Sequence, residues 1–145
     1  MIIWKCKHYN NLSTNELYRI LKIRQEVFII EQNCNYLDAD SFDQVSQHLT
    51  CYKNSELIAY MRIVPEGEIY PNISFGRILV KQKFRKIGLG KEIIQRAINV
   101  FPEDTTIVMS AQLYLTQLYE NFGFKIIGKE YLEDEIPHIK MIRNE

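Results

Sequence analysis

The chain has 145 residues, 46% of them hydrophobic, a length that suits one compact domain better than two. Its 18 Lys and Arg residues balance 18 Asp and Glu residues, whereas general nucleic-acid binders and polybasic membrane binders carry a clear basic excess. Charged residues at 25% and aromatic residues at 12% are ordinary values for globular proteins, and they exclude a wholly disordered chain.

The three cysteines, Cys6, Cys34 and Cys51, form no CxxC pair, so the sequence predicts neither a disulfide scaffold nor a zinc site. Free thiols of this kind are typical of a reducing compartment. No apolar run approaches the roughly 20 residues that cross a bilayer, and residues 1–7 lack the apolar segment of a signal peptide. We therefore expect a cytoplasmic protein with no membrane partner.

The first half of the chain is predicted to contain one helix and four strands. Ser13 and Glu16 have the spacing of a capping box, and apolar positions at helical spacing continue to about Ile30. Residues 31–47 lack a long apolar stretch and are predicted to form a loop. Asn54-Ser55 is a hairpin turn signal. The strands are expected at 2–8, 48–53, 56–64 and 74–81.

The second half alternates between strands and helices. A glycine-bearing turn leads into a helix whose apolar stripe runs from Leu89 to Phe101 and stops before Pro102. The remaining elements are, in order, a buried strand at 105–111, a helix at 113–122 that ends at Gly123, and strands at 124–132 and 138–143. This order predicts a mixed α/β sheet covered by helices.

The most specific motif is RKIGLG, residues Arg85–Gly90, between a strand and a helix. Glycines let backbone N–H groups approach an anion, and the start of a helix adds free N–H groups and the positive end of its dipole. Residues 81–91 also contain five basic side chains and no acidic one. The spacing is compatible with a phosphate cradle and equally with a tight turn flanked by solvated lysines. A P-loop and a dinucleotide fingerprint are excluded, because Arg85 and Ile93 stand where these motifs need glycine.

Two motifs of this chain, in their order along the sequence, resemble motifs of the GNAT superfamily of N-acetyltransferases. Arg85–Gly90 resembles its acetyl-CoA pyrophosphate loop, and Tyr119 with Gly123 and Phe124 resembles its Tyr-x-x-x-Gly-Phe signature. Similarity to the ElaA-like branch is carried by residues 27–32, Tyr36, Asp38, Asp40, Asp43, His48, 110–112 and 136–139. The resemblance implies a single GNAT-like domain over 1–145, an α/β fold with a mixed, mostly antiparallel sheet of six to seven strands flanked by helices.

The resemblance further implies transfer of an acetyl group from acetyl-CoA to a small-molecule or peptide amine, by direct attack in a ternary complex. The strand around Ile78–Val80 would pair with the pantetheine arm, and the following turn would hold the pyrophosphate. The residues implied in donor binding are Ile78, Leu79, Val80, Arg85, Lys86, Ile87, Gly88, Leu89, Gly90, Lys91 and Gln112. Arg77 and Gln112 could orient the acceptor or serve as structural hydrogen-bond partners.

Tyr119 matches the superfamily tyrosine that protonates the leaving thiolate, although its spacing also suits a core tyrosine. Glu31 and His48 are the candidates for the acceptor base, and each could equally be structural. Asp38, Asp40 and Asp43 could face the same cleft. A calcium loop is excluded because Phe42 stands at its next ligand position. We expect no metal.

The net charge of zero conceals two stretches of opposite charge. Residues 81–91 carry five positive charges, and residues 26–43 carry five negative ones. We expect the first stretch to meet the CoA phosphates and the second to favour a cationic amine. Three alternatives stay open: a non-catalytic CoA-binding or sensing module, an enzyme that uses another acyl donor, and a structural protein whose edge strand at 138–143 pairs across a homodimer.

Overall fold

A seven-stranded mixed sheet forms the centre of the computed structural model, which describes residues 1–145. The strands are β1 (Ile2–His8), β2 (Gln47–Lys53), β3 (Glu56–Val64), β4 (Ile73–Val80), β5 (Ile107–Gln112), β6 (Phe124–Glu133) and β7 (Ile136–Arg143). Their spatial order is β1-β2-β3-β4-β5-β7-β6. Every neighbouring pair is antiparallel except β4 and β5, which are parallel. The predicted mixed, mostly antiparallel sheet is confirmed.

Three α-helices accompany the sheet: α1 (Thr14–Arg24), α2 (Leu89–Asn99) and α3 (Thr116–Glu120). Helix α1 begins with the predicted capping box, in which the Ser13 hydroxyl accepts from the Glu16 N–H at 3.1 Å and the Glu16 carboxylate accepts from the Ser13 N–H at 2.9 Å. The chain continues as a π-helix over Gln25–Glu31, where the apolar spacing had predicted continued α-helix. No helix is long and apolar enough to cross a membrane.

The helices cover both faces of the sheet and bury two hydrophobic cores. The larger core has 19 buried residues, among them Ile93 and Met109, and lies under α2 and α3. The smaller core has 8 buried residues and lies under α1, where Ile20 packs with Tyr60. Full burial of such side chains favours folding by about 1.5–3 kcal/mol each.

Strand β7 lies between β5 and β6, so residues 138–143 do not form an open edge. Both sides of this strand are occupied by antiparallel neighbours. The expectation that this segment could pair across a homodimer is therefore wrong. The outer strands are β1 and β6.

A network of six charged side chains, four of them buried, holds the loop between the π-helix and β2. Arg24, which is fully buried, donates to Asp38 and Asp43 at 2.7 Å each. Arg62 on β3 donates to Asp43 at 2.8 Å, and Arg77 on β4 donates to Asp38 at 2.8 Å. We call this set the Arg–Asp network; its members are Arg24, Arg62, Arg77, Asp38, Asp40 and Asp43.

Asp43 is the most densely bonded carboxylate of the Arg–Asp network. Burial alone would raise its pKa, but the hydrogen bonds and positive charges of Arg24 and Arg62 outweigh burial and hold the pKa below its ordinary value of 3.8. A depressed pKa in the folded state means that the ionised carboxylate stabilises the fold.

We expect Asp43→Asn to lower the free energy of unfolding at pH 7 by about 3–5 kcal/mol, because buried guanidinium groups lose a counter-ion. The contribution is present above the unfolded pKa of about 3.9 and is lost as the pH falls through the lower folded pKa, so the difference from wild type should shrink below about pH 4. Urea unfolding measures both effects.

The matched control is Glu92→Gln, which removes an exposed i,i+4 partner of Arg96. It should change the free energy of unfolding by less than about 0.5 kcal/mol. Equal stability of Asp43→Asn and wild type at pH 7 would contradict a stabilising role for the Arg–Asp network.

Candidate active site

Strands β4 and β5 separate to form an open wedge in the middle of the sheet. They pair only through Ile73 with Ile107, Ser74 with Val108 and Phe75 with Met109. Beyond these pairs β4 keeps its β3 neighbour but has none on the β5 side, so its backbone groups face the gap. A cavity of about 590 Å³ occupies the wedge. Cavities of roughly 300–1,000 Å³ are typical of small-molecule and cofactor sites.

A β-bulge bends β4 where the wedge opens. Tyr60 on β3 lies opposite Leu79, but Arg62 lies opposite Gly76, so β4 contains one extra residue in this interval. Arg77 within it has a φ of 52°, which is uncommon for a residue other than glycine. Its guanidinium is tied to the Arg–Asp network. Bulges bend strands and terminate pairing, so the network fixes the shape of the wedge.

The backbone N–H groups from Lys86 to Lys91 form a cradle at the mouth of the wedge. None of them donates to a backbone carbonyl. Gly88 has a φ of 90° and open space where a Cβ would lie, and α2 then begins at Leu89 without a side-chain cap. The free N–H groups and the positive end of the α2 dipole make this a favourable anion site. Of the predicted turn, Arg85, Lys86, Leu89 and Gly90 line the cavity, whereas Ile87, Gly88 and Lys91 do not.

Arg85 joins the cradle to the π-helix across the cavity. Its two terminal nitrogens donate to the Glu31 carboxylate at 2.5 and 2.9 Å, and its Nε donates to the Val80 carbonyl at 2.8 Å. Arg85 and Glu31, both predicted site residues, line the same cavity. The Glu31 carboxylate is engaged at both oxygens, which leaves it poorly placed to take a proton from an amine.

The acidic stretch 26–43 does not present a free anionic surface. Asp38 and Asp43 are buried and paired with arginines, and Glu31 is paired with Arg85. Four of the five carboxylates of this stretch are thus paired with arginines, which leaves them little free negative charge for a cationic amine. The structure contains no group of three or more His, Cys, Asp or Glu side chains that could hold a metal ion.

Tyr119 reaches the cavity from α3. It also belongs to the larger core, where its ring packs edge-on against Phe124 at 6.3 Å between centroids. Burial raises its pKa, with a smaller contribution from Tyr114, so the hydroxyl is protonated at neutral pH. The arrangement gives this side chain both a packing role and a hydroxyl that can donate a proton.

His48 does not line the cavity. It is 1% exposed, with Nδ1 2.6 Å from the Tyr60 hydroxyl and Nε2 2.9 Å from the Asp43 carbonyl. Burial lowers its pKa, and protein groups occupy both ring nitrogens. The structure therefore corrects the expectation of a base at His48, because its ring braces the loop at Asp43 and is not brought to Glu31 or Tyr119.

The far wall of the cavity contains polar residues that sequence reasoning did not select as catalytic: Ser110, Glu133 and His138. His138 Nδ1 lies 2.7 Å from the Ile136 carbonyl, which can only accept, so Nδ1 carries the proton. The other ring nitrogen, Nε2, lies 3.3 Å from the Glu133 carboxylate. Gln112 lines the cavity as predicted and lies opposite His138 in the β5–β7 pair.

A family model described as "Acetyltransferase (GNAT) domain" matches residues 20–144. The chain belongs to the GNAT acetyltransferase family. A UPF0039 protein from Synechocystis sp. is 39% identical over 97% of this chain and 94% of its own length. The ElaA protein of Escherichia coli is 34% identical over 99% of this chain and 97% of its own length.

Two solved structures share the whole architecture. The crystal structure of an acyl-CoA N-acyltransferase from Pseudomonas aeruginosa superposes with a TM-score of 0.94 at 35% identity, covering 99% of both chains. The crystal structure of Escherichia coli ElaA superposes with a TM-score of 0.91 at 34% identity, again covering 99% of both chains. The predicted GNAT membership, ElaA-like similarity and α/β fold are confirmed.

Proposed function

We propose that this GNAT protein transfers an acetyl group from acetyl-CoA to the amine of a small molecule or peptide, by direct attack within a ternary complex. The observation that carries the proposal is the meeting of three features in one cavity: the open edge of β4, the cradle before α2 and the Tyr119 hydroxyl. The Pseudomonas relative is named an acyl-CoA N-acyltransferase, which supports the reaction class. The three free cysteines favour the cytoplasm.

The donor would lie along the open edge of β4. The pantetheine arm would add to the sheet as a strand does, hydrogen bonding to the backbone of Ile78–Val80. The pyrophosphate would accept from the N–H groups of Lys86–Lys91, and the Arg85 guanidinium would add charge-assisted bonds. Gln112, at the end of β5, would border the thioester.

The chemistry needs a neutral amine, a stabilised oxyanion and a proton for the leaving group. The amine lone pair attacks the thioester carbonyl carbon, a C–N bond forms and the carbonyl electron pair moves to oxygen. Collapse of this intermediate breaks the C–S bond. The thiolate then takes the proton of the Tyr119 hydroxyl, which burial keeps protonated at neutral pH.

We assign to His138 the role of the base that takes the proton from the acceptor amine. Nδ1 donates to the Ile136 carbonyl, so Nε2 is the ring nitrogen that would take the proton. The Glu133 carboxylate beside Nε2 would stabilise the imidazolium formed. Glu31, engaged by Arg85, would act on the donor side by holding that guanidinium near the cradle.

Gly88→Asp should weaken acetyl-CoA binding by about tenfold or more, because it places a carboxylate in the cradle and a side chain at a positive φ. Gly128→Asp is the matched control, since Gly128 has a φ of 79° and open space but lies on β6, outside the cavity. Isothermal titration calorimetry measures both. If a folded Gly88→Asp protein bound acetyl-CoA with unchanged affinity, the assignment of the donor site to this cradle would be contradicted.

Tyr119→Phe should lower kcat by about 10²–10⁴-fold while the Kd for acetyl-CoA stays unchanged, because only the proton donor is lost. Thiol release with a panel of amines measures kcat, and Tyr18→Phe, which changes an exposed tyrosine of α1, is the control. Wild-type turnover by Tyr119→Phe would exclude the acid role. CoA binding without thiol release by the wild type would favour a sensing module.

His138→Gln should lower kcat/KM at pH 7 by about 10²-fold or more, because the acceptor ammonium loses its base. The deficit should shrink as the pH approaches the pKa of the amine, where the free amine needs no base. A pH–rate profile measures this, with His8→Gln on β1 as the control. A deficit that is constant across pH would indicate a structural role for His138.

A further inference from the structure

The guanidinium of Arg62 is buried, yet the protein uses only part of it. The residue is 2% exposed and lines the cavity. Its Nη1 donates to Asp40 at 2.6 Å and to Asp43 at 2.8 Å. Its Nε is buried without a hydrogen-bond partner, and its Nη2 donates to no protein group.

The other arginines of the Arg–Asp network use the corresponding edge. Arg24 donates from Nε to the Asp38 carboxylate at 2.7 Å and from Nη2 to the Asp38 backbone carbonyl at 2.9 Å. Arg77 donates from the same two nitrogens to the same two groups of Asp38, at 2.8 and 3.1 Å. The Nε and Nη2 hydrogens point in parallel and match the two oxygens of one carboxylate. Arg62 alone in the network leaves this fork open. An unpaired buried donor is unfavourable, so the fork is a place for a ligand.

The fork lies on the face of the sheet where we place the acceptor. In β3 the neighbours Met61 and Ile63 belong to the core under α2, so Arg62 points to the opposite face. The same alternation in β5 and β7 directs Ser110 and His138 to that face. The fork and the proposed base therefore border one compartment.

We infer that Arg62 binds a carboxylate of the acceptor, which makes the acceptor an amino acid and excludes a simple polyamine. The inference rests on the proposed acyl transfer and adds the acceptor class to it. Asp40 and Asp43 both accept from Nη1, on the other side of the Arg62 guanidinium. Arg24 also pairs with Asp43, and Arg77 also pairs with Asp40, so these arginines help to balance the negative charge of the two aspartates. His138 and Glu133 would receive the ammonium while the fork holds the carboxylate.

The first test compares each standard amino acid with its amide as acceptor for wild-type protein. Thiol release from acetyl-CoA is measured at equal concentrations of free amine, because an amide lowers the pKa of its amine. For the preferred side chain, the acid should have a kcat/KM at least about tenfold above that of the amide. Equal kcat/KM for amides, or faster reaction of polyamines, would overturn the inference and leave the proposed function intact.

Arg62→Lys isolates the fork, because lysine keeps a positive charge beside Asp40 and Asp43 but has no paired N–H groups. The KM for the amino acid should rise about tenfold or more, and it should rise by a larger factor than the KM for the amide, because only the acid uses the fork. Arg96→Lys on the exposed face of α2 is the control. An unchanged KM in folded Arg62→Lys would contradict the assignment.

If Arg62→Lys does not fold, the binding of amino acids and their amides to the wild-type protein tests the inference. Calorimetry on CoA-loaded protein should detect the preferred amino acid and should detect its amide at least about tenfold more weakly. Equal binding of the two, or no binding of any amino acid, would overturn the inference. Selective binding of the acid without thiol release would overturn the proposed function and retain the carboxylate site.

Discussion

The parting of β4 from β5 after Phe75 and Met109 is the constraint on which the rest of this structure depends. A central strand ordinarily satisfies both rows of its backbone groups, yet half of β4 pairs with β3 alone. The gap leaves a cavity of about 590 Å³ in the middle of the sheet. Tyr119, His138, Gln112 and the strand Ile78–Val80, all assigned here to donor binding or catalysis, line this cavity.

The Arg–Asp network keeps the gap in shape. It ties Arg77, whose positive φ is of a kind that costs about 1–3 kcal/mol, to a loop that also holds α1 and β3. A buried ion network stabilises a fold less than apolar packing of similar volume does, but removing one of its partners destabilises the fold strongly. The network therefore fixes the bulge and, through the open side of Arg62, offers a recognition group to the cavity.

The features that sequence could predict are those carried by neighbouring residues. The capping box at Ser13, the glycine turn after Arg85 and most strand bounds follow from local spacing. The Arg–Asp network could not be predicted, because its pairs lie 14 to 39 residues apart. His48 suggested a base by residue type, and only the tertiary fold shows that it is buried while His138 lines the cavity. The place of β7 inside the sheet is likewise a matter of topology.

The claim that the wedge is an acyl-CoA site is tested most directly by the crystal structure of the protein grown with CoA. We expect the pantetheine arm beside Ile78–Val80, and the pyrophosphate within hydrogen-bond distance of N–H groups between Lys86 and Lys91. We also expect the thiol near the Tyr119 hydroxyl. CoA bound elsewhere on the chain, or an empty wedge at saturating CoA, would contradict it.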